Sequence, residues 1–285
     1  MIRTLSAALA CALLAACAST TPATDASPSA ASTAATNTEL ATAIAGNWRS
    51  LEETARDVYR HPAETLALFG VQPDHTVVEI TPGGGWYSAI LAPYLRERGR
   101  YIAAVVDPAS LPAGGSRDYQ QRAKDGLAKR FAEAPAQFDR AQFAAYDPKT
   151  PVFGAPNSAD VVLTFRNVHN WRMADQAEGM FKGFFNVLKP GGVLGVVEHR
   201  AKANVPADDM TGYVGEAQVI ALAQAAGFRL DARSEINANP RDTKDHPNGV
   251  WTLPPSNRHD PADAEKYRAI GESDRMTLRF VKPAR

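Results

Sequence analysis

The stretch Val77-Val78-Glu79-Ile80-Thr81-Pro82-Gly83-Gly84-Gly85-Trp86-Tyr87-Ser88 decides the reading of this chain. An apolar, β-rich run ends in an acid, a turn and three glycines, and an amphipathic helical pattern follows over residues 88–98. Consecutive glycines let the backbone bend sharply and let a ligand approach without Cβ interference. The helix behind them points its free N–H groups at that ligand. A doubly wound α/β domain builds a nucleotide-type site in this way, at the end of its first strand.

Outward from that stretch, helical and strand patterns alternate. Strands are expected over residues 76–80, 101–106, 138–143, 161–165, 193–198, 228–235 and 276–281. Further helices are expected over 40–45, 50–59, 63–69, 118–134, 176–187 and 215–226. Nearly all-apolar strands alternating with helices imply a mostly parallel, doubly wound α/β sheet of seven strands, with helices on both faces. Residues 237–262 are polar and rich in Pro and Asn, and read as a long insertion before the last strand. It holds His246 and His259 with Asp242, Asp245 and Asp260. No spacing there resembles a zinc motif, so surface polarity is the expected explanation and no metal site is expected.

The chain has 285 residues, 45% hydrophobic and 22% charged, as in ordinary globular proteins. Its formal net charge of zero argues against a nucleic-acid partner held by a global basic field. Arg3 followed by the short apolar run from Leu5 to Ala16 reads as an export signal, too short to span a membrane. Its end, Leu14-Ala15-Ala16-Cys17, resembles the bacterial lipoprotein signal, in which the Cys is lipidated and becomes the new N-terminus. An ordinary signal cleaved near one of the following alanines is the other reading. Residues 18–38 are dominated by Ala, Ser, Thr and Pro and read as a disordered tether. The expected organisation is therefore a signal over 1–17, the tether over 18–38 and one domain over 39–285. The protein would be periplasmic, touching a membrane only through Cys17. The other cysteine, Cys11, lies in the signal, which leaves the domain without a disulfide, a Cys nucleophile or a thiolate metal site.

Glu79 to Gly85 resembles the cofactor loop of class I S-adenosylmethionine-dependent methyltransferases, an acid followed by Gly at every second position. Thr81 stands where the first Gly would be, Gly83 and Gly85 match the others, and Pro82 and Gly84 fill the gaps. The resemblance implies that this loop wraps the methionine half of S-adenosylmethionine and that Glu79 helps to place its amino group. Asp107 ends the second strand, where an acid accepts from both ribose hydroxyls; a turn Asp before Pro108 has the same look. Asp147 ends the third strand, where the family often sets an acid against the adenine amino group; an Asp-Pro turn is the alternative. Lys189-Pro190-Gly191-Gly192, between a helix and an apolar strand, is similar to the family's segment before its fifth strand. A dinucleotide-binding dehydrogenase is the competitor, but its third fingerprint glycine is absent, because position 88 is Ser.

Arg166-Asn167-Val168-His169-Asn170-Trp171 follows the fourth strand, at the sheet edge where ligands sit. Several O-methyltransferases carry a His-Asp-Trp segment here, and His169-Asn170-Trp171 is similar. By that resemblance His169 is the candidate catalytic base, a role that suits an imidazole; packing around the pocket is the alternative. Arg166 and Asn167 would contact the cofactor carboxylate or amino group, or cap the strand. Arg56, Tyr59, Arg60 and His61 stand where the family often has a lid, although a solvated helix face explains them as well; His199 and Arg200 end the fifth strand. The whole chain resembles a group of bacterial predicted methyltransferases sharing the Pro82–Tyr87, His169–Trp171 and Asp274–Met276 segments. The expected function is methyl transfer from S-adenosylmethionine to a small acceptor, with oxygen as the expected methylated atom. The alternative is a non-catalytic, exported protein that binds a nucleoside-type ligand on the same fold, because export separates the chain from the usual cofactor supply.

Overall fold

The computed structural model describes residues 1–2 and 38–284. The signal segment beyond its first two residues, Cys17 and nearly all of the tether lie outside the described residues. Among those described, no helix is long and apolar enough to cross a membrane.

Helical residues 38–44 (α1) open the domain. Three short helices follow: α2 (Leu51–Thr54), α3 (Asp57–Arg60) and α4 (Pro62–Leu68). One helix was expected over 50–59, but Ser50 and Glu53 form a capping box that starts α2, and the chain turns again before α3. The alternating part runs β1 (Thr76–Ile80), α5 (Ser88–Leu95), β2 (Arg100–Val106), α6 (Gly115–Glu133), α7 (Pro135–Phe138), β3 (Gln142–Tyr146) and β4 (Ala159–Phe165). Then come α8 (Val168–Met173), α9 (Ala177–Val187), β5 (Leu188–His199), α10 (Glu216–Ala225), β6 (Arg229–Ser234), α11 (Ala264–Ile270) and β7 (Arg275–Val281).

The seven strands lie in the order β3-β2-β1-β4-β5-β7-β6. The pairings among β1 to β5 are parallel, whereas β7 is antiparallel to both of its neighbours. The sheet is therefore mixed, because β7 inserts in reverse between β5 and β6. An apolar run marks a strand without stating its direction.

Successive side chains of each strand face opposite sides. Val78, Ile80 and Val162 pack beneath α9 and α10 with Met180, Phe181, Phe184 and Val219. Val77, Ala103 and Leu163 pack on the other side with Leu66 of α4, Phe69 just after it, and Ile90 and Leu91 of α5. Helices thus cover both faces, as expected.

β3 begins at Gln142 rather than at Phe138. Pro135 takes the first position of a helical turn, which buries Phe138 against Phe131 at 4.9 Å between ring centroids. The insertion also departs from surface polarity. Asp242 is buried and accepts from Tyr213 Oη at 2.9 Å and from the backbone N–H of Asp274 at 2.8 Å, with His246 Nε2 at 2.9 Å. These bonds bind the insertion to the sheet end.

The strand order reverses between β1 and β4, since β2 and β3 lie to one side of β1 and β4 and β5 to the other. The crevice at their carboxyl ends is the topological switch point, where open α/β sheets bind ligands.

Candidate active site

Two adjoining cavities occupy that crevice, of about 480 and 560 Å³, and Thr81, Gly83, Tyr119, Asn167 and Asn170 line both. The floor is the loop after β1. Its backbone takes positive φ at alternate positions, +50° at Thr81, +59° at Gly83 and +79° at Gly85. These are the positions of glycine in the pattern the loop resembles, so the loop keeps that shape although Thr replaces the first Gly. The Thr81 N–H donates to Ala104 O at 2.8 Å, and Thr81 Oγ1 lies 2.7 Å from Tyr146 Oη. A Cβ at Gly83 or Gly84 would meet nothing within 4 Å, whereas one at Gly85 would lie 2.6 Å from Leu127 of α6. The first two glycines thus leave open cradle, and the third lets α6 approach. Arg130 of α6 holds the rim, donating to Gly84 O at 3.2 Å and pairing with Glu53 at 2.5 Å.

The first lobe, at the ends of β2 and β3, is lined by Val106, Leu111, Tyr146 and Pro148. Asp107 and Asp147 close these two strands, but neither side chain is among its lining. Asp107 Oδ1 accepts from the Ala109 N–H at 3.0 Å, and Asp147 Oδ1 from the Lys149 N–H at 2.9 Å. Each therefore forms a turn with one carboxylate oxygen and has a second oxygen outside that bond. Glu79 is buried, and its Oε2 accepts from Ser88 Oγ at 2.8 Å and Tyr101 Oη at 2.6 Å. Burial pushes its carboxyl up to about 7, against the pull of those two donors. It is not among the lining of either lobe.

The second lobe, at the ends of β4 and β5, carries the reactive side chains. Asn167 Nδ2 donates to Ile80 O at 3.0 Å and to Thr164 Oγ1 at 3.3 Å, which ties the end of β4 to β1. α8 then brings His169 to the wall of the lobe, buried. Its Nδ1 lies 3.0 Å from Glu198 Oε1, and its backbone N–H donates to Glu198 Oε2 at 3.2 Å. The same carboxylate accepts the His199 N–H at 2.7 Å. His199 lines the lobe too, with Nδ1 2.5 Å from Ser273 Oγ and its ring 5.2 Å from that of His169. Burial first, then its neighbours His169 and Arg166, hold the His199 imidazole well below its usual range, so it stays neutral near pH 7.

In the sequence, Glu198 is only the last residue of the strand expected over 193–198. The signal for it was a single acid closing that run, one strand over from His169. His169, Glu198 and His199 bring ligand-type atoms within 4.8 Å of one another. Both Glu198 oxygens are already held by backbone amides, and guanidinium groups surround the trio, which disfavours a dication there.

The outer wall comes from two segments. Arg56, just before α3, and Arg60, at its end, reach the second lobe, and Trp251 with Pro254 and Pro255 reaches it from the insertion. The Trp251 ring stands edge-on to His169 at 6.0 Å. Both segments are cleft walls, and Arg60 is buried rather than solvated.

No protein-family model matches the chain, and no curated protein matches it. Among solved structures, a SAM-dependent methyltransferase from Aquifex aeolicus is similar at 13% identity and a TM-score of 0.53, over 80% of this chain and 93% of that one. The [4+2]-cyclase SpnF is similar at 17% identity and a TM-score of 0.55, over 88% of this chain and 94% of that one. The chain thus has the fold of S-adenosylmethionine-dependent methyltransferases. A cyclase on that fold leaves the reaction to be argued from the site.

Proposed function

We propose that the chain is an S-adenosylmethionine-dependent methyltransferase that acts on a small-molecule acceptor at oxygen. The observation that carries this reading is the loop after β1, with left-handed backbone at residues 81, 83 and 85 beneath an open cradle beside His169. That cradle fits the cofactor, since Gly83 and Gly84 offer backbone with no side chain in the way. Thr81, Pro82, Gly83, Gly84 and Gly85 would hold the methionine half. Asn167 Oδ1, which makes no hydrogen bond among the described residues, would accept from the cofactor's ammonium. The outer oxygens of Asp107 and Asp147 would take the ribose hydroxyls and the adenine amino group. Glu79 would act from beneath, through the fold of the loop.

When bound, S-adenosylmethionine would supply an activated methyl group on a sulfonium for an acceptor lone pair, with the thioether as its leaving group. The protein's part is alignment, which can supply roughly 7–11 kcal/mol of such a barrier. The acceptor hydroxyl's proton goes to His169 Nε2. Glu198 keeps Nδ1–H as the donor side of the ring and stabilises the imidazolium once formed. Trp251 and the paired prolines shield the lobe from water.

The second part of the proposal is export and lipid attachment at Cys17, supported by Leu14-Ala15-Ala16-Cys17 behind a short apolar run. Labelling with a radioactive fatty acid should mark the wild type and not Cys17→Ser; label retained on the variant would contradict it.

Isothermal titration of the full-length chain with S-adenosylmethionine and S-adenosylhomocysteine tests the enzyme reading. Saturable heat with both is expected. Silence with both, together with no thermal shift, would sink it and leave the non-catalytic binder.

A further inference from the structure

Four guanidinium groups converge on the second lobe. Arg56, Arg60 and Arg166 line it, and Arg275 stands behind them. Three of the four share one carboxylate, Glu272, with Arg56 Nε at 2.6 Å, Arg60 Nε at 3.3 Å and Arg275 Nη2 in contact. The buried Nη2 atoms of Arg56 and Arg60 have no hydrogen-bond partner. The guanidinium of Arg166 makes no hydrogen bond among the described residues, and its backbone is held at a φ of +62°. Burial first, then Arg275, lowers the Arg166 pKa to about 10. The other acid nearby, Glu198, is committed to His169 and two backbone amides. Glu53 is paired with Arg130. Positive charge therefore exceeds negative charge in a half-buried space, where it is poorly screened.

The proposed cofactor does not correct this excess. S-adenosylmethionine carries a sulfonium, an ammonium and one carboxylate, so it brings net positive charge into the cleft. The missing negative charge has to come from the other ligand. Arg56, a quarter exposed, and Arg166, half-buried, offer donors to it, while Arg60 and Arg275 add field from behind. We propose that this lobe binds the oxyanion of a small organic acid, a carboxylate or a phosphate monoester, beside His169. Resting on the methyltransferase reading, this makes the methyl acceptor an anion. Guanidinium groups recognise both oxyanions through paired N–H donors.

The test titrates benzoate and phenyl phosphate, with benzamide and phenol as neutral counterparts, into the full-length chain with and without saturating S-adenosylhomocysteine. At least one anion should bind at least 10-fold more tightly than its neutral counterpart, with S-adenosylhomocysteine in place, and the preference should shrink as salt rises. Which anion binds separates carboxylate from phosphate. Arg166→Gln should weaken the anion at least 10-fold and leave S-adenosylhomocysteine within 2-fold, with Arg166→Lys intermediate. Thermal melting of both variants checks that they fold. Anions no tighter than neutral counterparts would overturn the proposal. So would competition between anion and S-adenosylhomocysteine with equal losses in Arg166→Gln, since the arginines would then serve the cofactor's own carboxylate. Arg166-dependent anion binding by a chain that ignores S-adenosylhomocysteine would support the oxyanion site and remove methyl transfer, so the two failures are separable.

Discussion

Thr81 holds a φ of +50°, a conformation that strains a β-branched residue by about 1–3 kcal/mol. Its N–H bond to Ala104 and its hydroxyl contact with Tyr146 offset part of that cost. The loop was legible in sequence because glycine is the residue that takes such backbone freely, and one substitution among three does not erase the pattern. Gly83→Ala separates folding from binding at this loop. A Cβ there meets nothing within 4 Å, so only the left-handed backbone penalises it, by about 1–2 kcal/mol in urea denaturation. Yet that Cβ would project into the cradle, so S-adenosylhomocysteine affinity should fall at least 10-fold by calorimetry; unchanged affinity would move the cofactor elsewhere. Glu198 was not legible as a site residue, since its partners His169 and His199 come together only when β4 pairs with β5. Three N–H groups point at its two oxygens. Glu198→Gln turns one oxygen into a donor facing donors, and should cost about 1–3 kcal/mol in the same denaturation assay.

At the scale of elements, the strands and the covering helices were legible because period-2 and period-3.6 patterns report burial directly. The reversed direction of β7 and the burial of the insertion were not, because both depend on partners far away in sequence. Glycines make the same point about packing. Gly195 lies on β5 beneath α4, and a Cβ there would come within 2.6 Å of the fully buried Phe69 ring and 2.8 Å of Leu163. Neither neighbour has free space to yield into, so Gly195→Ala should destabilise by about 1–3 kcal/mol. Gly126 is exposed within α6, and a Cβ there would meet nothing within 4 Å. Gly126→Ala should therefore stabilise by about 1 kcal/mol. Urea midpoints at unchanged slope read both. A stabilising shift in Gly195→Ala would contradict the close approach of Phe69 to the sheet, and a destabilising one in Gly126→Ala would contradict the open surroundings of that position.

For the whole molecule, two buried titratable groups set opposing slopes of stability against pH. Glu79 is pushed up from 4.5 to about 7, so between those values the folded state holds a proton that the unfolded state has lost. Stability then falls as pH rises through that window, by roughly 3 kcal/mol in total at 1.36 kcal/mol per unit. His199 is held well below 6.5, so below 6.5 the unfolded state takes a proton that the folded state refuses, and stability falls as pH drops. Below pH 6.5 the two slopes oppose each other; above 6.5 only the Glu79 loss continues, up to about pH 7. Glu79→Gln keeps an oxygen for Ser88 and Tyr101, both of which donate to Oε2, and removes the ionisable group. Its stability relative to wild type should therefore rise by roughly 3 kcal/mol between pH 5 and pH 8. Taking the difference between the two proteins cancels every other titrating group. A difference that stays constant across that range would mean that Glu79 ionises as readily in the folded protein as in the unfolded chain, and that the base of the glycine loop is wetter than its packing against Ser88 and Tyr101 implies.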